Sequence, residues 1–311
     1  MYIGIDVGGT SIKYGLVDED GRVTNKSSMA TSHERDEFIS NIIKLIQDLL
    51  FRYPAIKAVG ICAPGIIEKN GMMSTAGSLR ALYGTNLKEE IQKIVDLPVQ
   101  IENDANAVAI AERWVGNAIG VDNYLCLVLG TGVGGGIVIN GDVYRGKHGM
   151  AGEFGWMIID RFAEDEDMES ASVNQRAAIV GGLCLRYNKF SKEKDPSFEA
   201  ITDAKIIFER EATDEIAQRV ISQFFKDLSV SIINLISSFD PELVLVGGGI
   251  SENDYFFERL QQELLKWEKK HASVNYLIGR TIAPIKQTKL RNDAGIIGAV
   301  YPIRRSLKLN E

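Results

Sequence analysis

The segment IENDANAVAIAE holds the residue type best placed for catalysis. A strand-like apolar run ends at Glu102 and helical spacing begins near Asp104, which puts a carboxylate at the start of a helix. The helix dipole and the free amides of the first turn stabilise such a group as the anion. Two roles fit it. It can cap the helix by accepting a backbone N–H. It can also act as a general base that takes the proton of an attacking hydroxyl in phosphoryl transfer, where a loose transition state needs orientation and late proton removal more than a strong base. Asn103, beside it, could hydrogen-bond the same substrate. A second chemistry-bearing pattern occurs twice, in MYIGIDVGGTSIKYGLVDEDGRV and in YLCLVLGTGVGGGIVINGDVYRG. Each copy is an apolar run, a glycine-rich turn with a Thr, and two further runs. Such a turn can aim successive amides outward and make a nest for phosphate. The residues are Gly8, Gly9 and Thr10 in the first copy and Gly130, Thr131, Gly132 and Gly134 in the second, with Lys13 following on the next strand. Asp6 ends the first strand. A carboxylate beside a phosphate nest is electrostatically unfavourable unless a cation lies between, and Mg²⁺ held through water on one side of a triphosphate satisfies both. A plain Asp-containing hairpin explains either copy taken alone. The repetition favours a nucleotide held between two similar domains.

Two other glycine clusters need separate treatment. Gly130, Gly132 and Gly135 match the dinucleotide pattern G-x-G-x-x-G, but that fingerprint requires a helix directly after the turn. Here GIVINGDVYRG continues as a strand and a hairpin, so the dinucleotide reading fails. Gly247, Gly248 and Gly249 end the apolar run ELVLVGGGI ahead of a helical pattern. Bare backbone there would let an adenosine lie flat; an ordinary strand-to-helix turn has the same composition.

The elements that must position these groups alternate strand and helix, which gives mixed α/β sheets with helices on their faces. Three strands are expected through about Ala30, then a helix with Phe38, Ile39, Ile42, Ile43, Leu45, Ile46, Leu49 and Leu50 at helical spacing. A buried strand ends at Pro64-Gly65, Asn86 caps a helix in LKEEIQKIV, LPVQIE is a strand, and Asp104 to Trp114 is a helix. After a candidate hinge at Gly116 to Val121, the second half repeats the pattern, with a long helix near Asp214 to Phe239, a helix near Tyr255 to His271, and a last helix from near Asp293. Ile159 to Val173 is acidic and reads as a loop. These features predict an N-terminal lobe over 1–117, onto which a C-terminal helix over 293–311 packs back, and a second lobe over 118–292. A chain of 311 residues suits two domains. The net charge of −7 with no Lys/Arg run argues against a nucleic-acid surface. No apolar run is expected to span a membrane, and the chain enters a strand at once, so no signal peptide is expected. Cys62, Cys126 and Cys184 form no CxxC pair and read as buried free thiols of a cytoplasmic protein.

Taken in order, DVGGTSIK, APG, ENDAN, LGTGVGGG, GMAGEFG and VGGGIS resemble the ROK family of bacterial sugar kinases, over nearly the whole chain. The resemblance implies two actin-like (ribonuclease H-like) lobes, each a mixed β-sheet flanked by helices, with an ATP and sugar cleft between them. It implies that Asp104 is the base for a sugar hydroxyl, usually O6, and that Gly65, Asn103 and Glu153 line the sugar site. It implies that Gly8–Thr10, Thr131–Gly132 and Gly247–Gly249 hold ATP with Mg²⁺, and that GSLRALYGTN is a sugar-contacting loop. Glu153 alone would be a loop carboxylate; in GEFG, with the resemblance, it becomes an acceptor for a sugar hydroxyl. Many family members follow this motif with a His and a cysteine cluster that binds zinc. Here Trp156 stands at the position of that His and no cysteine follows, so no zinc site is expected. Trp156 either stacks on a sugar or aglycone face or fills the space of the missing zinc site. Glu169 is a candidate for the carboxylate that the family supplies after its cluster, and His148 for a structural or substrate-orienting role. Sequences with GEFG and an aromatic resemble the β-glucoside kinase subgroup. The expectation is an ATP- and Mg²⁺-dependent hexose kinase acting on the 6-hydroxyl of a β-glucoside or glucose, with N-acetylmannosamine or fructose as alternatives. A sugar sensor without catalysis is the non-enzyme alternative; the family's repressors carry an N-terminal helix-turn-helix for which this chain shows no segment. Homodimers are common in the family.

Overall fold

The first three strands are built before any crossover is needed. In the computed structural model, which describes residues 1–309, the chain opens with β1 (Tyr2–Val7), β2 (Ser11–Val17) and β3 (Val23–Ala30), paired antiparallel in succession. Helix α1 (Arg35–Arg52) carries the chain to β4 (Val59–Ala63), which lies parallel to β1. A small hairpin of β5 (Met72–Met73) and β6 (Thr85–Asn86) and helix α2 (Leu87–Gln92) precede β7 (Val99–Asn103), parallel to β4, and α3 (Asp104–Val115) follows directly. The strand order is β3-β2-β1-β4-β7. The second sheet, in the order β10-β9-β8-β11-β12, uses β8 (Tyr124–Leu129), β9 (Val133–Ile139) and β10 (Asp142–Val143) from the second glycine-rich copy. The remaining elements are α4 (Val173–Ala177), α5 (Leu185–Lys194), α6 (Ala204–Glu209), α7 (Glu215–Phe239), β11 (Leu243–Gly247), α8 (Asp254–Lys270), α9 (Ala272–Leu277), β12 (Ile285–Gln287) and α10 (Ala294–Leu309). The expected C-terminal helix over 293–311 is present as α10 through Leu309, and its last two positions, 310 and 311, lie outside the described residues.

The chain divides into two compact units. Among the described residues the first comprises 1–126, 136–152 and 288–309, and the second 127–135 and 153–287. In the first unit, the apolar stripe of α1 (Phe38, Ile42, Ile46, Leu49) is buried against Ile3, Ile5, Ile12, Val59 and Ile61. Each such side chain contributes about 1.5–3 kcal/mol by leaving water. The opposite face takes α3 and α10, where Cys62 packs with Ala107 and Ala299, and Tyr2 with Ile296, Val300 and Ile303. A Cβ at Gly60 would overlap the Ala299 carbonyl, so α10 lies backbone against strand. On this face the register aligns Lys13, Asp6, Cys62 and Glu102 in one row across four strands. Glu112 of α3 is fully buried, and its carboxylate accepts from the amides of Asn117 (2.7 Å), Lys289 (2.7 Å) and Leu290 (2.8 Å). It thus pins the segment after α3 to the chain entering α10.

In the second unit, β11 and β12 pair in parallel, and Phe224 and Phe225 of α7 pack with Phe256 of α8. Contrary to the sequence expectation, α7 is long and apolar enough to cross a membrane by length and composition. Yet 67% of its most apolar window is buried within the fold, and its Asp227 is held by Arg176 and Arg186, so it is a core helix. The region between Trp156 and Asp214 resolves into α4, a π-helical turn at Ile179–Cys184, α5 and α6. The acidic segment expected as a loop contains a 3-10 turn, Met168–Ala171. Helix α2 ends at Gln92, short of the expected Val95.

Candidate active site

Strand β7 runs into α3 without a loop, and this junction assembles three of the expected sugar-site residues in the first unit. Asn103 has extended backbone (φ −68°, ψ 145°), and its Oδ1 accepts from the Asn106 amide at 2.9 Å. Asn103 is therefore the helix cap, and Asp104 is the first helical residue. The Asp104 Oδ1 accepts from the Ala105 amide at 2.8 Å and from Asn103 Nδ2 at 3.1 Å. The same Asn103 Nδ2 donates to the Gly65 carbonyl at 2.9 Å. Gly65 has φ +96°, and a Cβ there would overlap the Thr75 carbonyl, so this position needs glycine. Gly65, Asn103 and Asp104 are thus tied by one side chain, whose donors and cap acceptor are all engaged within the protein.

The turn between β1 and β2 is closed by the Gly8 amide donating to the Ser11 carbonyl at 3.0 Å, and Thr10 stands exposed at its tip. The second turn is closed one residue tighter, with the Gly130 amide donating to the Gly132 carbonyl at 2.9 Å and Thr131 exposed. Gly134 lies inside β9, beyond the turn. Asp6 is largely withdrawn from water, and Gly295 packs so closely that a Cβ there would lie 2.6 Å from its carboxyl carbon. Burial raises the Asp6 carboxyl above its usual range, while a hydrogen bond from Cys62 Sγ (3.3 Å) and the charge of Lys13 act the other way. The Lys13 ammonium itself donates to Asn292 Oδ1 at 2.9 Å. Among the described residues no three His, Cys, Asp or Glu side chains cluster as metal ligands. One carboxylate of this kind fits a cation held through water and phosphate oxygens, and does not fit a cage of protein ligands.

In the second unit, Glu153 precedes a 3-10 turn, Phe154–Trp156, and is half-buried. Burial alone raises its carboxyl above the usual range, and no donor to it is found among the described residues. A desolvated acceptor of this kind suits a hydroxyl donor from a ligand. Trp156 is 48% exposed, so it does not fill a core space. Gly248 has φ +96°, and a Cβ there would overlap the Leu129 carbonyl. By contrast, a Cβ at Gly130 or at Gly249 would meet nothing within 4 Å. These two glycines present open backbone, which is what a nucleotide lying against them requires. His148 and Glu169 are exposed.

Three site-supporting residues are invisible to motif reading. Asn174 of α4 accepts from the Val133 amide at 2.8 Å and packs against Gly132 and Gly155, joining the second turn to the Glu153 loop. Cys62 is a buried thiol whose proton faces Asp6; burial and the Asp6 charge push it well above its usual value. Arg145 forms an ion pair with Glu102, which is 3% exposed.

Comparison with known proteins decides the family. The ROK family model matches residues 2–305. The chain belongs to the ROK family. It is 32% identical over 298 residues to a β-glucoside kinase of Listeria monocytogenes, covering 95% of each chain. A glucokinase of Halalkalibacterium halodurans is 30% identical, with 98% of this chain and 95% of that one aligned. Among solved structures, a ROK family glucokinase from Streptomyces griseus in complex with glucose and AMPPNP superposes with a TM-score of 0.78 at 28% identity, covering 98% of this chain and 99% of that one. This ROK chain therefore has the actin-like ATPase fold that the ordered motifs implied.

Proposed function

We propose that this ROK protein is an ATP-dependent hexose kinase whose base is Asp104. The observation that carries the reading is the division of labour at the β7–α3 junction. Asn103 caps the helix, and Asp104 is left at the first helical position beside Gly65 and Asn103. In this reading a sugar hydroxyl donates to the Asp104 carboxylate. As the hydroxyl oxygen bonds to the γ-phosphorus of ATP, the bond from that phosphorus to the bridging oxygen breaks, ADP leaves with the electron pair, and Asp104 takes the proton. Glu153 accepts a second sugar hydroxyl, and Asn103 holds the base in place. The exposed tips at Thr10 and Thr131 and the open backbone of Gly130 and Gly249 receive the phosphates and the adenosine. Mg²⁺, held through water by Asp6, would neutralise phosphate charge.

The substrate class we infer is a β-glucoside or glucose, phosphorylated at O6. An exposed tryptophan beside the Glu153 acceptor suits the C–H face of a pyranose or a second ring beyond O1. The similarity to a β-glucoside kinase points the same way. The test is an ADP-coupled assay with glucose, cellobiose, gentiobiose, N-acetylmannosamine and fructose, with and without Mg²⁺. Cellobiose should match or exceed glucose in kcat/KM, and Trp156→His should move that ratio towards glucose. Turnover of glucose with none of any β-glucoside removes the substrate assignment; turnover of no sugar at all removes the kinase.

A further inference from the structure

We propose that Arg145 is a positioning residue for the base, acting through the buried carboxylate of Glu102. The inference rests on the reading of Asp104 as the base. Glu102 sits one residue before the capping Asn103, and its side chain is 4% exposed. Arg145 donates to Glu102 Oε2 through both Nε, at 3.1 Å, and Nη2, while its Nη1 donates to the Val143 carbonyl at 3.2 Å. The other oxygen, Oε1, accepts from the Asn103 amide at 3.0 Å and from Asn106 Nδ2 at 3.2 Å. Asn103 and Asn106 are the two residues that close the helix cap, and Asn103 also donates to Asp104. The guanidinium thus neutralises the one carboxylate that fixes the backbone and side chains around the base. Without it, a buried carboxylate stands directly behind the cap with no counter-charge, which the surrounding structure relieves by rearrangement. That rearrangement disturbs the acceptor at Oε1 and releases Asn103.

The setting of Arg145 makes this testable in a way that a purely structural ion pair would not be. A cavity of about 510 Å³ in the same unit is lined by Glu102, Arg145, Gln100, Ile110, Tyr124 and Arg305. The Arg145 side chain is 28% exposed, although its partner is not. Truncating Arg145 to Ala would leave a guanidinium-sized space continuous with that cavity, which a guanidinium ion from solution can enter.

The experiment compares Arg145→Ala, Arg145→Lys, Arg305→Ala and Asp104→Asn for kcat, for the KM of ATP and for melting temperature, with and without millimolar guanidinium chloride. Arg145→Ala should lose on the order of tenfold to a hundredfold in kcat, as expected for a displaced catalytic group, with the KM of ATP unchanged. Guanidinium should restore a large part of that loss and leave the wild type unaffected. Arg145→Lys keeps the charge without the fork and should lie between. Arg305→Ala, on the same cavity but paired with exposed Asp142, should turn over as wild type and not respond to guanidinium. Wild-type kcat in folded Arg145→Ala, or a lowered kcat that guanidinium leaves unchanged, overturns the proposal. If the Ala variant does not fold, the Lys variant decides: lowered kcat at an unchanged ATP KM and melting temperature supports it, and unlowered kcat overturns it. Asp104→Asn keeps the two readings apart. If it is inactive while Arg145→Ala is fully active, the base stands and the role of Arg145 falls; if Asp104→Asn is active, the base reading itself fails.

Discussion

Asn103→Asp replaces one side-chain NH2 by an oxygen and should move the pH dependence of the enzyme. The native Oδ1 caps α3, and an aspartate oxygen caps equally well, so the helix start is retained. The native Nδ2, however, donates to the Gly65 carbonyl at 2.9 Å and to Asp104 Oδ1 at 3.1 Å. A carboxylate oxygen at that point loses both donations and sets a like charge against the base. Two unit charges about 3 Å apart repel by on the order of 5 kcal/mol at an effective dielectric constant of about 20. Repulsion of that size favours one proton shared between the two part-buried carboxyls of the variant. A like charge disfavours the ionised form and raises the apparent pKa, and the base works ionised, so activity must fall from the acid side. Undiminished, that repulsion is worth about 4 pH units; screened by solvent at this part-buried pair, it should move the acid limb of the kcat/KM profile up by roughly 1–3. Asn103→Ser, which retains a cap but not the two donors, removes a hydrogen bond from the ionised base without adding a like charge, so it should lower kcat and move the limb up by less than Asn103→Asp does. ADP release measured across pH for both variants separates these effects. An Asn103→Asp profile that overlays the wild type would refute the reasoning, because it would mean that Asn103 does not face the group that titrates.

Two further outcomes follow from the second unit. Gly249→Ala should fold with an unchanged melting temperature yet raise the KM of ATP, since its Cβ enters open space; Gly248→Ala should unfold or fail to express, because its φ of +96° and the Leu129 carbonyl leave no room. Equal behaviour of the two in thermal melts and ATP titrations would show that the glycines do not divide in this way. For Glu153, burial raises the folded-state carboxyl above its unfolded value, so the group's contribution to stability is full below the unfolded value and lost as the pH rises through the folded one. Glu153→Gln should therefore melt higher than wild type near neutral pH, with the gap closing on acidification, while the KM for sugar rises. Matching melting curves together with an unchanged sugar KM would remove Glu153 from the site.

The parts of the fold that were legible in the sequence are those with local causes. Helix α1 announces itself through Phe38, Ile42, Ile46 and Leu49, and the two glycine-rich copies through runs separated by residues that accept tight turns. Asp104 stands out as the candidate base because a strand pattern and a helix pattern meet at Glu102 and Asp104. What could not be read were partners set by tertiary folding. Arg145 meets Glu102 across 43 positions, and no periodicity connects them. Glu112 reads as one more charge on a helix, yet it is fully buried and holds the amides of Lys289 and Leu290, 177 and 178 positions away. Asn174 lies in a segment of weak patterning, because the short helix and π-helical turn there follow the contours of the second turn rather than a face of their own. Here Gly181 and Gly182 leave room for the Thr131 carbonyl and the Ala177 amide. The cap is a subtler case. The helix start was correctly placed, but the choice between Asn103 and Asp104 as its cap depends on a backbone angle that neighbouring residues do not encode.

The central claim is that Asp104 accepts the proton of the sugar hydroxyl. Asp104→Asn preserves shape and hydrogen-bonding size while removing the acceptor charge, so steady-state turnover and sugar binding can be measured on the same folded preparation. The account predicts sugar affinity close to that of the wild type and a fall in kcat on the order of 10²–10⁴-fold. A folded Asp104→Asn enzyme with near-wild-type kcat would contradict it.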